Sequence, residues 1–247
     1  MSADSSGAPP REVIVALDYH SQLLPTIEVA IALANARRLA VHGLCIEDPD
    51  LAIVSSLPFT QEVTLLGARP RALEEQHLRR TLEGFTRRFR QLLSERAEQA
   101  ALDFSFGSVH GRRQAMEMGG STRSHYLVLG QRRPAREPAR PALCVLLLCA
   151  DLAAALPVLE AVSSNGERPL ELLLVNTAGE GESGERFRQF VADHREVLLQ
   201  QLVPGQLGQV FRTGAHQPDL VVASRRSDPV MLDRVLQLAA CPVILSD

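Results

Sequence analysis

Two arginine pairs, Arg132-Arg133 and Arg225-Arg226, each follow a short apolar run, and their chemistry suits the holding of an anion. A guanidinium presents a planar fork of N–H donors that matches a carboxylate or phosphate bidentately, and it keeps its charge at any physiological pH. The same pairs fit a charged, solvated turn, or ion pairs to Asp48, Asp50 or Asp228. Asp18 closes the first apolar run, where a carboxylate either contacts a ligand or caps the turn that follows. His20 and His110 fall near the ends of strand-like runs, where an imidazole titrates usefully. With no carboxylate or metal-ligand spacing around them, they read as structural.

The chemistry the chain excludes is clearer. All 26 basic residues are arginine. A Walker-type phosphate loop needs its lysine, and Schiff-base chemistry needs an amine, so both are ruled out apart from the chain's own N-terminus. There is no H-x-x-H, H-E-x-x-H or G-x-S-x-G, and Gly107-Ser108 and Gly120-Ser121 lack the setting of a nucleophile elbow. Neither a catalytic set nor a metal site emerges, and the expectation is a protein that is not an enzyme. Cys45, Cys144, Cys149 and Cys241 sit in or beside apolar runs with no C-x-x-C pair, as buried, reduced thiols do. A net charge of −3 gives no field for nucleic acid. No signal-like segment opens the chain, and no stretch approaches the ~18 apolar residues of a membrane span, so the expected location is the cytoplasm, off the membrane.

The elements that would carry these residues alternate. Apolar residues make up 45% of the chain and aromatics only 4%, which predicts an aliphatic core of the kind buried parallel strands build. Residues 12–17 predict a strand. A helix follows, capped by Ser21, with Pro25 in its first turn and Leu23, Leu24, Ile27, Ala30, Ile31 and Ala34 on one face. Residues 41–46 predict the next strand, giving a parallel pair with a right-handed crossover. An irregular stretch over 47–70 follows, broken at Asp48-Pro49 and Leu57-Pro58; its apolar run 51–60 suits buried packing, a lid or a partner surface. A long helix over 71–100 comes next, with Leu78, Leu82, Phe85, Phe89 and Leu92 as its stripe and Arg79, Arg80, Arg87 and Arg88 on its wet face. A strand over 103–109, a short helix over 111–118 and a strand over 125–129 ending at Gly130 complete the first series.

After a proline- and arginine-rich stretch the order restarts. Strands are predicted at 143–149, 170–175, 209–212, 220–223 and 242–245. Helices are predicted at 152–162, 187–202 and 230–240, the last opened by Asp228-Pro229. The expected organisation is a flexible tail over 1–10, a first domain over 11–133, a linker over 134–141 and a second domain over 142–247. Asp18 and Asp151 stand 133 positions apart, Ile46 and Val175 129, and Gly130 and Ser224 94, so the second series is the shorter in its middle. The first series lacks the last helix and strand of the second, so its fifth strand is either lost or supplied from elsewhere.

This ordered set, with VIVALD at 13–18, VHGLCIEDPD at 41–50, FSFGSVHG at 104–111, HYLVLG at 125–130, DLVVAS at 219–224 and the ending CPVILSD, resembles the universal stress protein family. The resemblance implies an α/β fold of two tandem wound parallel-sheet domains, of the adenine-nucleotide alpha-hydrolase-like kind. It also implies a role in stress response or regulation through binding. Nucleotide-binding members hold adenine and ribose at the aspartate ending strand one and pack the base on a hydrophobic residue late in strand two. They cradle phosphates on glycine amides of a Gly-x-x-Gly loop after strand four. By that pattern Asp18, Ile46 and Gly130 take those places in the first copy, and Asp151 and Val175 in the second.

Both copies depart from the pattern at the phosphate loop. Arg133 replaces the second glycine of the first copy, and Leu143-Cys144 stands where Gly-Ser is expected. The second copy reads Ser224-Arg225-Arg226-Ser227. The expectation is therefore no bound cofactor, with ATP or AMP binding of the usual kind in question. The arginine pairs would serve as substitute anion holders. The remaining readings are a sensor of a nucleotide or other anionic ligand, and an adaptor docking a protein partner. The assembly would be a homodimer or an internal pseudo-dimer of the two copies.

Overall fold

Val13, Val15 and Leu17 pack to one side of the strand Glu12–Asp18 (β1) while Ile14 and Ala16 pack to the other. A strand apolar on both sides belongs in the interior of a sheet covered on both faces, and that is where it lies. The computed structural model describes residues 12–57, 61–63, 70–72, 75–111, 125–130, 142–148, 155–164, 169–175, 182–194, 197–202, 204–211 and 217–246. The predicted tail, linker and 111–118 helix fall essentially outside those residues, as do Arg132, Arg133 and Asp151.

After β1 come α1 (Leu23–Arg37), β2 (Ala40–Glu47), α2 (Pro49–Ser56), a small antiparallel pair β3 (Gln61–Val63) and β4 (Pro70–Ala72), α3 (Glu75–Gln99), β5 (Phe104–His110) and β6 (His125–Leu129). The chain continues through β7 (Leu143–Leu148), α4 (Leu156–Ser164), β8 (Leu170–Val175), α5 (Glu182–Asp193), β9 (Val197–Leu202), a 3-10 turn at Pro204–Gln206, α6 (Leu207–Val210), β10 (Leu220–Ser224), α7 (Pro229–Leu238) and β11 (Val243–Ser246).

Nine of these strands form one sheet in the order β5-β2-β1-β6-β11-β10-β7-β8-β9. Every neighbouring pair is parallel except β6 and β11, which run antiparallel with Leu129 opposite Val243 and Leu127 opposite Leu245. The α/β class and parallel wound pattern are as the sequence predicts. The two series do not, however, make two separate sheets. From each edge the strands read third, second, first, fourth of their series, and the halves join edge to edge. The place beside β6, for which the described residues of the first series supply no strand, is filled by β11 from the far end of the chain.

Helices α1, α3, α4 and α5 pack on one face, through Ile27, Leu33, Phe89, Leu93, Leu159, Phe187 and Phe190. Helices α6 and α7 pack on the other, through Leu207, Val210, Leu232 and Val235. Helix α3 comes close to β2 because Gly43 has no side chain: a Cβ there would lie 2.6 Å from both Leu93 Cδ2 and Phe106 Cδ2.

Several elements differ from the sequence reading. Helix 187–202 is two elements: α5 stops at Asp193, and Val197–Leu202 adds to the sheet as β9, in parallel register with all of β8. The apolar spacing suits a helix, but the open edge of β8 offers backbone partners that a longer α5 would leave unpaired. Where a strand is expected at 209–212, Gln209 and Val210 end a helix instead and Arg212 lies outside the described residues: Pro204-Gly205 launches a turn that runs into α6 and buries Leu207 and Val210 three apart. The stretch at 47–70 is less irregular than expected. Asp48 caps α2 by accepting from Asp50 N (3.0 Å), with Pro49 at the first helical position.

Candidate ligand cleft

The sequence of β1 ends in a carboxylate that folds back on its own backbone. Asp18 is buried, and its Oδ1 accepts from Ser21 Oγ (2.7 Å) and His20 N (3.1 Å). Ser21 N donates in turn to Asp18 O (2.9 Å), and Asp18 N donates to Ser21 Oγ (3.1 Å). Of the two roles open to Asp18, the turn cap is thus formed. Ser21, expected to cap α1, spends its hydroxyl here, and the helix begins one residue later, after Gln22.

This turn fills the crevice between β1 and β6, where the strand order reverses and where open α/β sheets usually take ligands. Gly130 forms the opposite wall, its N–H donating to Ala16 O (3.2 Å). A Cβ at Gly130 would collide with the Leu17 side chain and lie 2.8 Å from Ser21 Cβ. The glycine is required by that packing.

The open space lies to the other side, over the carboxyl ends of β1, β2 and β5 and under the first half of α3. It is a cleft of about 870 Å³, within the size range of small-molecule sites. Asp18 and Ile46, register partners on β1 and β2, stand at its floor. Its wall is aromatic. Tyr19 meets Phe85 edge-on (centroids 5.9 Å, 74°), Phe85 tilts against Phe89 (6.4 Å), and Phe89 meets Phe106 edge-on (5.2 Å, 71°). Tyr19, Phe85 and Phe106 line the space, three of the chain's ten Phe and Tyr residues. Such faces suit a planar ring.

Polar groups frame this wall. His110 Nε2 lies 2.9 Å from Glu47 Oε2, a pair set by their register on β5 and β2. Arg79 Nε donates to Glu83 Oε1 (3.1 Å). Arg87 and Arg90, also on the rim, form no ion pair with the described residues. Cys45 opens into the same space, with Sγ 3.4 Å from Thr86 Oγ1. Burial pushes its thiol pKa up, Glu47 and Asp18 add to the rise, and the Thr86 contact only partly offsets it. Cys45 therefore stays protonated at neutral pH, the opposite of an activated nucleophile.

The remaining sequence candidates lie apart. Val175 is fully buried in the other half, on the face covered by α6 and α7. Arg225 and Arg226 begin the turn after β10, with Arg226 exposed and Arg225 half-buried. The backbone of that turn is fully employed: Arg225 N donates to Ser246 O (2.8 Å), Arg226 N to Ser224 Oγ (3.1 Å) and Ser227 N to Ser224 O (3.0 Å). Ser227 Oγ then donates to Leu148 O (2.7 Å) and pins the turn to β7. An anion nest needs successive amides turned outward, and these three point inward.

Sequence reasoning placed Asp18 and Ile46 at the cleft and Arg79 and Arg87 on the exposed side of α3, where they lie, but missed Tyr19, Phe106 and Glu47 as lining and that the exposed Arg79, Arg87 and Arg90 reach the cleft rim. Among the described residues no group of three or more His, Cys, Asp or Glu side chains could hold a metal ion, and no helix is long and apolar enough to cross a membrane.

An open, mainly parallel sheet with helices on both faces and a cleft at its carboxyl edge defines a wound α/β protein. No family model and no curated protein matches the chain. Among solved structures it is similar to a universal stress protein from Archaeoglobus fulgidus DSM 4304, at 9% identity and TM-score 0.46 over 95% of this chain and 96% of that one. It is also similar to the cytoplasmic domain of a prokaryotic cation chloride cotransporter, at 13% identity and TM-score 0.45 over 96% and 95%.

Proposed function

We propose that this chain is a non-catalytic binding protein of the universal stress protein kind, acting in the cytoplasm, whose first-half cleft takes a small planar ligand without the usual phosphate loop. The observation that carries this reading is the aromatic wall of Tyr19, Phe85 and Phe106 in a chain with so few aromatics. Asp18 supports it less directly, by holding the turn that forms one lip. The employed amides of the Ser224–Ser227 turn argue against a triphosphate held there, and the protonated Cys45 argues against covalent chemistry in the cleft.

Thermal unfolding with adenosine, AMP, ATP and cyclic dinucleotides tests this directly, because a ligand that binds only the native state raises apparent stability by mass action. Adenosine or a monophosphate should raise the midpoint, ATP should do no better, and Phe85→Ala should abolish the shift. A flat response to every ligand would remove the sensor reading. A response to ATP alone would restore a phosphate site.

A further inference from the structure

Four carboxylates and three arginines line the cleft among the described residues, and they are sorted by element. Asp18, Glu47 and Asp48 stand at or just after the ends of β1 and β2, and each has a partner at hand. Asp18 Oδ1 accepts from Ser21 Oγ (2.7 Å), Asp48 Oδ1 accepts from Asp50 N (3.0 Å), and Glu47 meets His110 (2.9 Å). The fourth, Glu83, belongs to α3 and is bonded to Arg79 one turn before it (3.1 Å). Two cations are left over. Arg87 and Arg90 are exposed, line the cleft and form no ion pair among the described residues. The helix sequence offers them none. Three or four residues along α3 from Arg90 stand only Thr86, Arg87, Leu93 and Ser94, and the sole acid so placed for Arg87 is Glu83, already engaged. Like charges one helical turn apart are destabilising, and an anion between them removes that repulsion.

We infer that the cleft's ligand is a small aromatic oxyanion, with its ring against Tyr19, Phe85 and Phe106 and its carboxylate, sulfonate or phosphate oxygens on Arg87 and Arg90. This rests on the cleft being the ligand site, as proposed above. The ring wall and the cations belong to adjacent turns of one helix. Arg87 and Arg90 lie roughly 3 and 8 Å beyond Phe85 along the axis, at a rise of about 1.5 Å per residue, so one small molecule can meet both. A guanidinium's planar fork of N–H donors takes two oxygens of such a group at once. A neutral ring would leave both cations without a counter-charge, and a cationic one would be repelled by them, since the acids of the cleft already have partners.

Two fluorescent probes separate the ring from the charge: anilinonaphthalene sulfonate, and phenylnaphthylamine, which is the same aromatic frame without the sulfonate. Titrated into the full chain, the sulfonate should bind about tenfold more weakly to the Arg87→Gln, Arg90→Gln double variant than to the wild type, the size of a lost charge-assisted hydrogen bond, while the neutral probe changes by less than about twofold. An Arg80→Gln, Arg88→Gln double variant removes equal charge from the same helix away from the cleft, and it should change neither probe. Added salt should weaken the sulfonate alone in the wild type, a reading that needs no variant. Phe85→Ala should weaken both probes. A sulfonate affinity that survives the loss of Arg87 and Arg90, that falls equally in the Arg80 and Arg88 control, or that falls together with the neutral probe's would overturn the arginine assignment and leave the cleft reading standing. A wild type that binds neither probe, or a Phe85→Ala chain that binds both as well as the wild type, would remove the cleft reading and this inference with it.

Discussion

Gly130 shows how one residue type can mislead. A glycine after the fourth strand of a wound domain suggests a backbone laid open for a phosphate. In the folded chain its missing side chain makes room for Leu17 and Ser21, so its contribution is to the packing of the β1 turn. Gly130→Ala should therefore cost ~1–3 kcal/mol of stability, the usual range for an overpacked site, as read from urea unfolding. Weakened ligand binding at unchanged stability would return the residue to a ligand role. Asp18 was legible as a strand-ending carboxylate, but its choice between ligand and turn depends on Ser21 Oγ at 2.7 Å, a distance no sequence spacing states. The cleft wall was not legible. Tyr19 follows β1, Phe106 lies on β5 and Phe85 on α3, and they meet only because the register of β1, β2 and β5 sets those strand ends under α3.

At the scale of elements, the strands buried on both faces were the easiest to read, because EVIVAL, LCVLLL and LVVAS are apolar in a way few helices of that length are. β9 was the hardest. Its last turn of helix-like spacing and its strand pairing are both compatible with VLLQQL, and a neighbouring edge decided between them. The helix starts obeyed one rule applied unevenly. Asp228-Pro229 was read as a cap with a first-turn proline, and Asp48-Pro49 as a break, yet both are caps. Asp228 Oδ1 accepts from Val230 N (2.8 Å) and Met231 N (3.3 Å). Asp228→Ala should cost about 1 kcal/mol, and Asp228→Ser much less, because serine keeps the acceptor. Equal losses in the two variants, measured by chemical denaturation, would show that the side chain acts through something other than the cap.

At the scale of the whole molecule, the sequence gives a repeating order of elements but not how the repeats meet. The join rests on β6–β11 pairing, with Val128 opposite Ile244 and both fully buried, and on the packing of α1 beside α4 in one core cluster. The Arg37–Glu160 ion pair across that contact, 3.8 Å and well exposed, adds little. A joint built from the central strands of a continuous sheet leaves no place where one half can open without stripping the other of a neighbour. Unfolding should therefore be a single transition, and the chain's tyrosines allow this to be tested cleanly. Both tyrosines lie in the first half, Tyr19 at the cleft and Tyr126 on the joint strand β6, and there is no tryptophan, so tyrosine emission reports the first half and its joint while circular dichroism follows the whole. Ile244→Ala lies in the last strand of the second half and should cost ~2–5 kcal/mol, as buried large-to-small changes do. It should shift the tyrosine and dichroism transitions together and by the same amount. If the tyrosine transition stays in place while the dichroism splits, the halves are independent, and the β6–β11 joint is a contact between two folded units with no share in the stability of either.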